Sequence, residues 1–204
     1  MVDNLFTREN PGTPIKAGRA SRRLADAGLT HEQAATQLRG FARKELVRPP
    51  ETRGDGKIIH QLFAIPDLAV AKILSILISV TGIAKPGLME WISDWLYSWP
   101  PSHPQFADRF ATQVHAAMSG INRGEEWTCR IDVFTHDRTG AEMACAYLFR
   151  GDAPPVVPWE LDSGPVRPVG QPDTFEESAE HNYRGSITLP VTEPLSRLLS
   201  DPAN

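Results

Sequence analysis

The chain of 204 residues is poor in cysteine: Cys129 and Cys145 are its only two. Two are too few for a disulfide scaffold, and their spacing excludes a Cys-x-x-Cys metal or redox motif. They read either as small buried hydrophobes or, in one hairpin register that sets them face to face, as a redox pair. Long hydrophobic runs are missing too. The longest, Ile73 to Ala84, is closed by Lys72 and Lys85 and falls short of the roughly 20 residues that cross a bilayer. The opening MVDNLFTREN carries Asp3 and Glu9 and has no apolar segment before a small-residue cleavage site, so it does not read as a secretory signal. The expectation is a cytoplasmic protein with no membrane partner. Histidines 31, 60, 103, 115, 136 and 181 are scattered, without a His-x-x-x-His pair or a carboxylate placed as a third ligand, so no metal site is expected. Nucleophile elbows and phosphate-binding loops are absent, and Gly54-Asp55-Gly56-Lys57 is too short to cradle phosphates. His136-Asp137 imitates a general base with its orienter, but in a hairpin turn such a pair serves local hydrogen bonding. No enzyme, catalytic residue or cofactor is expected.

What is present is an apolar content of 41%, enough for the core of one large or two small domains. The net charge of -4 is unevenly placed. Residues 1–60 hold eleven Lys and Arg against seven Asp and Glu, and residues 151–204 hold three against nine. A basic head and an acidic tail fit a polyanion partner for the head; they also fit an ordinary solvated surface.

Residues 1–18, with Pro11, Gly12, Pro14 and Gly18, read as a flexible arm. Ala20, Leu24 and Ala27 recur at helical spacing before Gly28, which marks a short first helix. Thr30 and Gln33 fit a capping box for a second helix, His31 to Leu46. Ala34, Leu38, Phe41, Ala42 and Glu45 lie on one face of it, with Leu46 at the edge, and Gln33, Thr36, Gly40, Arg43 and Lys44 project from the other. Pro49 and Pro50 are expected to end it. Glu51 to Lys57 then form a charged turn, Ile58 to Ile65 a strand, and Asp67 caps an apolar third helix. Leu88 to Trp99 resumes helical spacing and contains Trp91, Trp95 and Trp99; three tryptophans so close suggest core or a subunit contact, or a ligand cage. Phe106 to Met118 is a further amphipathic helix. The period then changes to two in EEWTCRIDVF and AEMACAYLF, a β-hairpin. Beyond Gly151 the chain is rich in proline and acidic residues and has few apolar stretches except Ile187 to Leu199, so 152–183 read as mostly irregular or disordered.

Helix, short turn, helix, charged hairpin, helix is the order of a winged helix-turn-helix. At Ala25 and Gly28, Leu38-Arg39 with Phe41, Leu46-Val47-Arg48-Pro49, the glycine-bearing turn before Phe63, and Asp67-Leu68, the chain resembles the MerR-like and excisionase-like winged helix family. The resemblance covers about residues 19–80. No long coiled-coil dimerisation helix follows the wing, as it does in MerR-like proteins. The resemblance implies that the second helix enters the major groove of double-stranded DNA. Gln33, Thr36, Gln37 and Arg39 are then candidates for base edges, and Arg43 and Lys44 for phosphates. Arg53 and Lys57 would grip the backbone from the wing, whose base Ile58, Ile59, Leu62 and Phe63 would seat. Arg19, Arg22 and Arg23 would add phosphate contacts from the first helix or form a solvated face.

The expected fold is α+β: an arm (1–18), a winged helix-turn-helix (19–80), a helical and β-hairpin region for dimerisation or partner binding (86–150), and a Pro-rich acidic tail (151–204). The expected function is sequence-specific DNA binding in transcription regulation of a phage-like or mobile-element programme. The alternatives are an architectural, excisionase-like DNA-binding protein, or a protein-interaction adaptor or homodimer using Trp91, Trp95 and Trp99.

Overall fold

Local signals in residues 13–63 build a pair of helices bracketed by three short strands. A computed structural model describes residues 13–25, 29–49, 51–53, 60–98, 112–136, 139–151 and 181–199. β1 (Ile15–Lys16) runs directly into α1 (Ala17–Ala25), which buries Ala20 and Leu24. α2 (His31–Arg43) starts with the expected capping box. The Thr30 hydroxyl accepts from Gln33 N–H at 3.2 Å, and Gln33 Oε1 accepts from Thr30 N–H at 2.9 Å, so two orphan donors are satisfied. α2 packs on α1 through Ala34, Leu38 and Phe41.

α2 ends at Arg43, before the expected Leu46, and the prolines play no part in stopping it. Glu45 adopts a left-handed φ of 59°. Its N–H donates to the Ala42 carbonyl at 3.1 Å, and Leu46 N–H donates to Phe41 at 2.9 Å. This is a Schellman closure, sealed by the buried pair Phe41 and Leu46. β2 (Glu51–Arg53) and β3 (His60–Phe63) pair antiparallel, Glu51 with Leu62 and Arg53 with His60, and β1 joins the far side of β3 through Ile15 and Phe63. The sheet order is β1-β3-β2. The strand is shorter than the expected 58–65, because Ile65 opens the next helix; Ile58, Ile59 and the tip of the hairpin lie outside the described residues.

α3 (Ile65–Thr81) has Ala64, not Asp67, at its N-cap. Pro66 occupies the first turn, where its missing N–H costs nothing, and Asp67 accepts from Ala64 N–H at 2.8 Å. Every residue from Ile65 to Ser75 is buried, since α3 touches all the other helices named here: α1, α2, α4 (Pro86–Leu96), α5 (Gln113–Asn122) and α6 (Thr192–Leu199). Gly82 ends it with a φ of 70°. α4 stops three residues short of the expected Trp99, and α5 starts after the N-cap Thr112 and runs past Met118; residues 106–111 lie outside the described set.

The second sheet has the order β5-β4-β6, from β4 (Trp127–His136), β5 (Glu142–Arg150) and β6 (His181–Pro190). The β4–β5 hairpin is the expected one, but its register is not. Cys129 pairs with Leu148 and Cys145 with Asp132, so the two thiols lie on opposite faces. Both faces of β5 are buried, Met143 through Phe149 without a break. Most of the expected irregular segment, 152–180, lies outside the described residues; the tail beyond it is ordered, with residues 181–190 paired along β4 and α6 packed on α1, α3 and α5. One contiguous core runs from Ala20 to Leu198 and joins the helix pair, the central helices and the second sheet.

The edge of β5 is finished by a side chain. Gln113, 1% exposed, accepts from Leu148 N–H at 2.8 Å through Oε1 and donates through Nε2 to the carbonyls of Ala146, at 3.0 Å, and Trp95. Its amide does for β5 what a neighbouring strand would do, which leaves these edge groups paired in a dry setting.

Candidate nucleic-acid interface

Helical phase sorts the basic residues of the first segment into exposed and buried sets. With Ala34, Leu38 and Phe41 facing the core, Thr36, Arg39 and Arg43 must face away, and each is exposed, as is Lys44 at the C-cap. Arg39 Nε donates to Ala35 of its own helix at 3.1 Å, which holds the side chain along the outer face. On α1, Arg19 and Arg22 are exposed. Among the described residues of α1, α2 and the turn after it, these five exposed cations stand against the exposed carboxylates Glu32 and Glu45. The surplus is positive and lies outward. Arg43 and Lys44 also stand at the C-terminal end of α2, where cations complement the helix dipole.

Other candidates are engaged elsewhere. Arg23 is buried and donates through a terminal nitrogen to the Leu198 carbonyl at 2.6 Å, tying α1 to the end of α6. It is therefore a packing residue and not a phosphate contact; its position three residues after Ala20 puts it on the core side of α1. Gln33 holds the cap of α2. Gln37 is half-buried and accepts from Ser75 Oγ of α3 at 2.8 Å. Arg53 is the last residue of β2, and Lys57 lies outside the described residues. Of the four base-edge candidates, Gln33, Thr36 and Arg39 face solvent, and Thr36 and Arg39 are the two engaged neither in the cap nor with α3.

The tryptophans are only in part where a partner surface needs them. Trp95 is fully buried, its ring tilted on Tyr147 at 4.9 Å, which removes it from any partner surface. Trp91 is half-buried against the core, and Trp99 lies outside the described residues.

Arg48, in the segment between α2 and β2, is a basic residue outside the set expected to meet DNA. Its guanidinium sits 5.0 Å from the Tyr97 ring centroid and pairs with Asp94, a combined cation–π and ion-pair contact. Its N–H donates to the Tyr97 hydroxyl at 3.1 Å, and that hydroxyl donates to Asp67 Oδ1 at 2.9 Å. Three chain segments thus meet on one carboxylate. Burial pushes the Asp67 carboxyl up to about 6 against the lowering effect of its bonds from Ala64 N–H and the Tyr97 hydroxyl, and the same burial holds the Tyr97 phenol well above its usual range. An open groove of about 390 Å3 beside this junction is lined by Lys44, Glu45, Arg48, Glu90, Ser93 and Asp94. Three carboxylates against two cations give it no preference for a polyanion, so the positive surface is the outer face of α1 and α2.

No helix among the described residues is long and apolar enough to cross a membrane. Comparison with protein-family models, with curated proteins and with solved structures finds no match to this chain.

Proposed function

We propose that the chain is a sequence-specific binder of double-stranded DNA acting in transcriptional control, with α2 as the reading helix of a winged helix-turn-helix. One arrangement carries the reading. α1 and α2 pack together, the antiparallel β2–β3 ribbon follows, β1 closes the sheet in the order β1-β3-β2, and the far side of α2 presents Thr36, Arg39, Arg43 and Lys44 to solvent. An exposed, basic second helix buttressed by a first helix is what major-groove entry requires. Arg39, mid-helix, is placed to read a guanine edge by two donors, whereas Arg43 and Lys44 at the end of the helix meet phosphates. Arg19 and Arg22 extend the phosphate contact along α1.

Selection from a randomised duplex pool tests this. The expected result is an enriched motif; Arg39→Ala relaxes preference at one position with a loss of about 1–3 kcal/mol, while Arg43→Ala weakens all sequences alike. No enrichment, with no duplex binding even at low salt, would contradict the proposal.

A further inference from the structure

Two helices of this protein carry a glycine in their last turn, Gly40 in α2 and Gly120 in α5, and only one of the two is explained by the fold. Glycine is the least favourable helical residue after proline, so each position calls for a reason. At Gly120 the reason is internal. A Cβ there would come within 2.8 Å of Trp127 Cε2, because the indole lies directly over the helix backbone. At Gly40 a Cβ would meet no atom of the described residues within 4 Å. Its φ is not in the left-handed region, so alanine would fit the backbone and strengthen the helix.

The place of Gly40 supplies a reason from outside the molecule. It stands one turn after Thr36 and one turn before Arg43 and Lys44, on the same solvent side of α2. The side chains of Thr36, Arg43 and Lys44 are exposed there, and Gly40, half-buried between them, contributes backbone alone. We infer that Gly40 is a positioning residue at which the DNA duplex comes into van der Waals contact with the backbone of α2, the missing side chain setting how deeply the helix seats. This rests on the DNA-binding reading and adds the depth of seating to it. The charge around the gap suits that occupant, since Arg39, Arg43 and Lys44 flank it and no acidic side chain of α2 lies within one turn of Gly40. Seating the helix closely would let Arg39 reach a base edge and would bring Arg43 within range of phosphate.

The test uses the full chain with Gly40→Ala and Gly40→Gln, both good helix formers. Thermal denaturation is measured beside fluorescence-anisotropy binding to the duplex selected by the wild-type protein. The expected result is a split: both variants melt at or above the wild-type temperature, while affinity falls about tenfold for alanine and further for glutamine, as extra atoms are forced into a filled interface. Equal affinity of all three proteins for a duplex that the wild type binds specifically would overturn the inference and leave the DNA reading standing. Parallel loss of melting temperature and affinity would assign Gly40 a structural role and overturn it as well. Failure of the wild-type protein to bind any duplex would remove the DNA reading, and this inference with it.

Discussion

Two buried titratable groups act on stability in opposite directions over the same pH range, and separating them is a demanding test of the packing described here. Asp67, 5% exposed at the start of α3, has its carboxyl raised to about 6 by burial. In the unfolded chain it titrates near 4, so between about pH 4 and 6 the folded state binds the extra proton and stability falls as pH rises. His115, 8% exposed on α5, is lowered by burial to about 4, with its Nδ1 at 2.7 Å from the Thr112 hydroxyl. Unfolded, it titrates near 6.5, so between about pH 6.5 and 4 the unfolded state binds the extra proton and stability falls as pH falls. At about 1.4 kcal/mol per unit, each contribution amounts to roughly 3 kcal/mol, with opposite sign. In the wild type they largely cancel. Urea denaturation of wild type, Asp67→Asn and His115→Gln at fixed ionic strength from pH 4 to 7 exposes them. Relative to wild type, Asp67→Asn gains about 3 kcal/mol on going from pH 4 to 6.5, and His115→Gln loses about as much. Profiles of both variants parallel to wild type would refute the reasoning, because neither group would then sit in the dry surroundings assigned to it.

The remaining expectations concern packing. Gln113→Ala deprives Leu148 N–H and the Ala146 carbonyl of their side-chain partner, while the Trp95 carbonyl keeps the N–H and hydroxyl of Ser98, and chemical denaturation should show a loss of about 3 kcal/mol. Gly120→Ala drives a methyl group into the Trp127 indole, costing about 1–3 kcal/mol with a change in tryptophan fluorescence. Burial pushes the Cys129 thiol up to about 12 and the Cys145 thiol higher still, so neither should react with iodoacetamide in the native protein at pH 8. Mild oxidation should yield no intramolecular cross-link, as the pair lies on opposite sheet faces; a monomeric cross-linked species would contradict the register.

Elements whose signals are local were legible in the sequence. The Thr30–Gln33 box marks the start of α2 because both halves of the exchange are side chains named in the sequence. The apolar run from Leu68 to Ile78 announces a helix buried on more than one face, as α3 is. The end of α2 was hidden, because its left-handed residue is Glu45 and not a glycine. The register of the hairpin was hidden for a different reason. With Met143 to Phe149 buried on both faces of β5, alternation ceases to say which side is which, and a one-residue slip carries little visible cost. β6 was missed because its exposed residues, Asn182, Tyr183, Arg184 and Ser186, dilute the apolar pattern of an edge strand. Of the candidate interface, the phase of α2 set Gln33, Thr36, Arg43 and Lys44 outward, as they are, whereas Gly40 is half-buried and Glu45, expected on the apolar face, is exposed beyond the helix end; the phase of α1 holds the signal that separates Arg23 from Arg19 and Arg22. The engagement of Gln37 with Ser75 depends on α3, 38 residues along the chain, and no local pattern encodes it.

The most direct test of the central claim is the salt dependence of duplex binding by the wild type, Arg43→Ala and Lys44→Ala. If the outer face of α2 seats on DNA, the slope of log affinity against log salt is steep in the wild type and falls by about 0.9 for each cation removed, with melting temperatures lowered by no more than the loss of about 0.3–1 kcal/mol of helix-dipole interaction allows. A wild-type slope near zero, or slopes that these substitutions leave alone, would mean that α2 does not carry the contact.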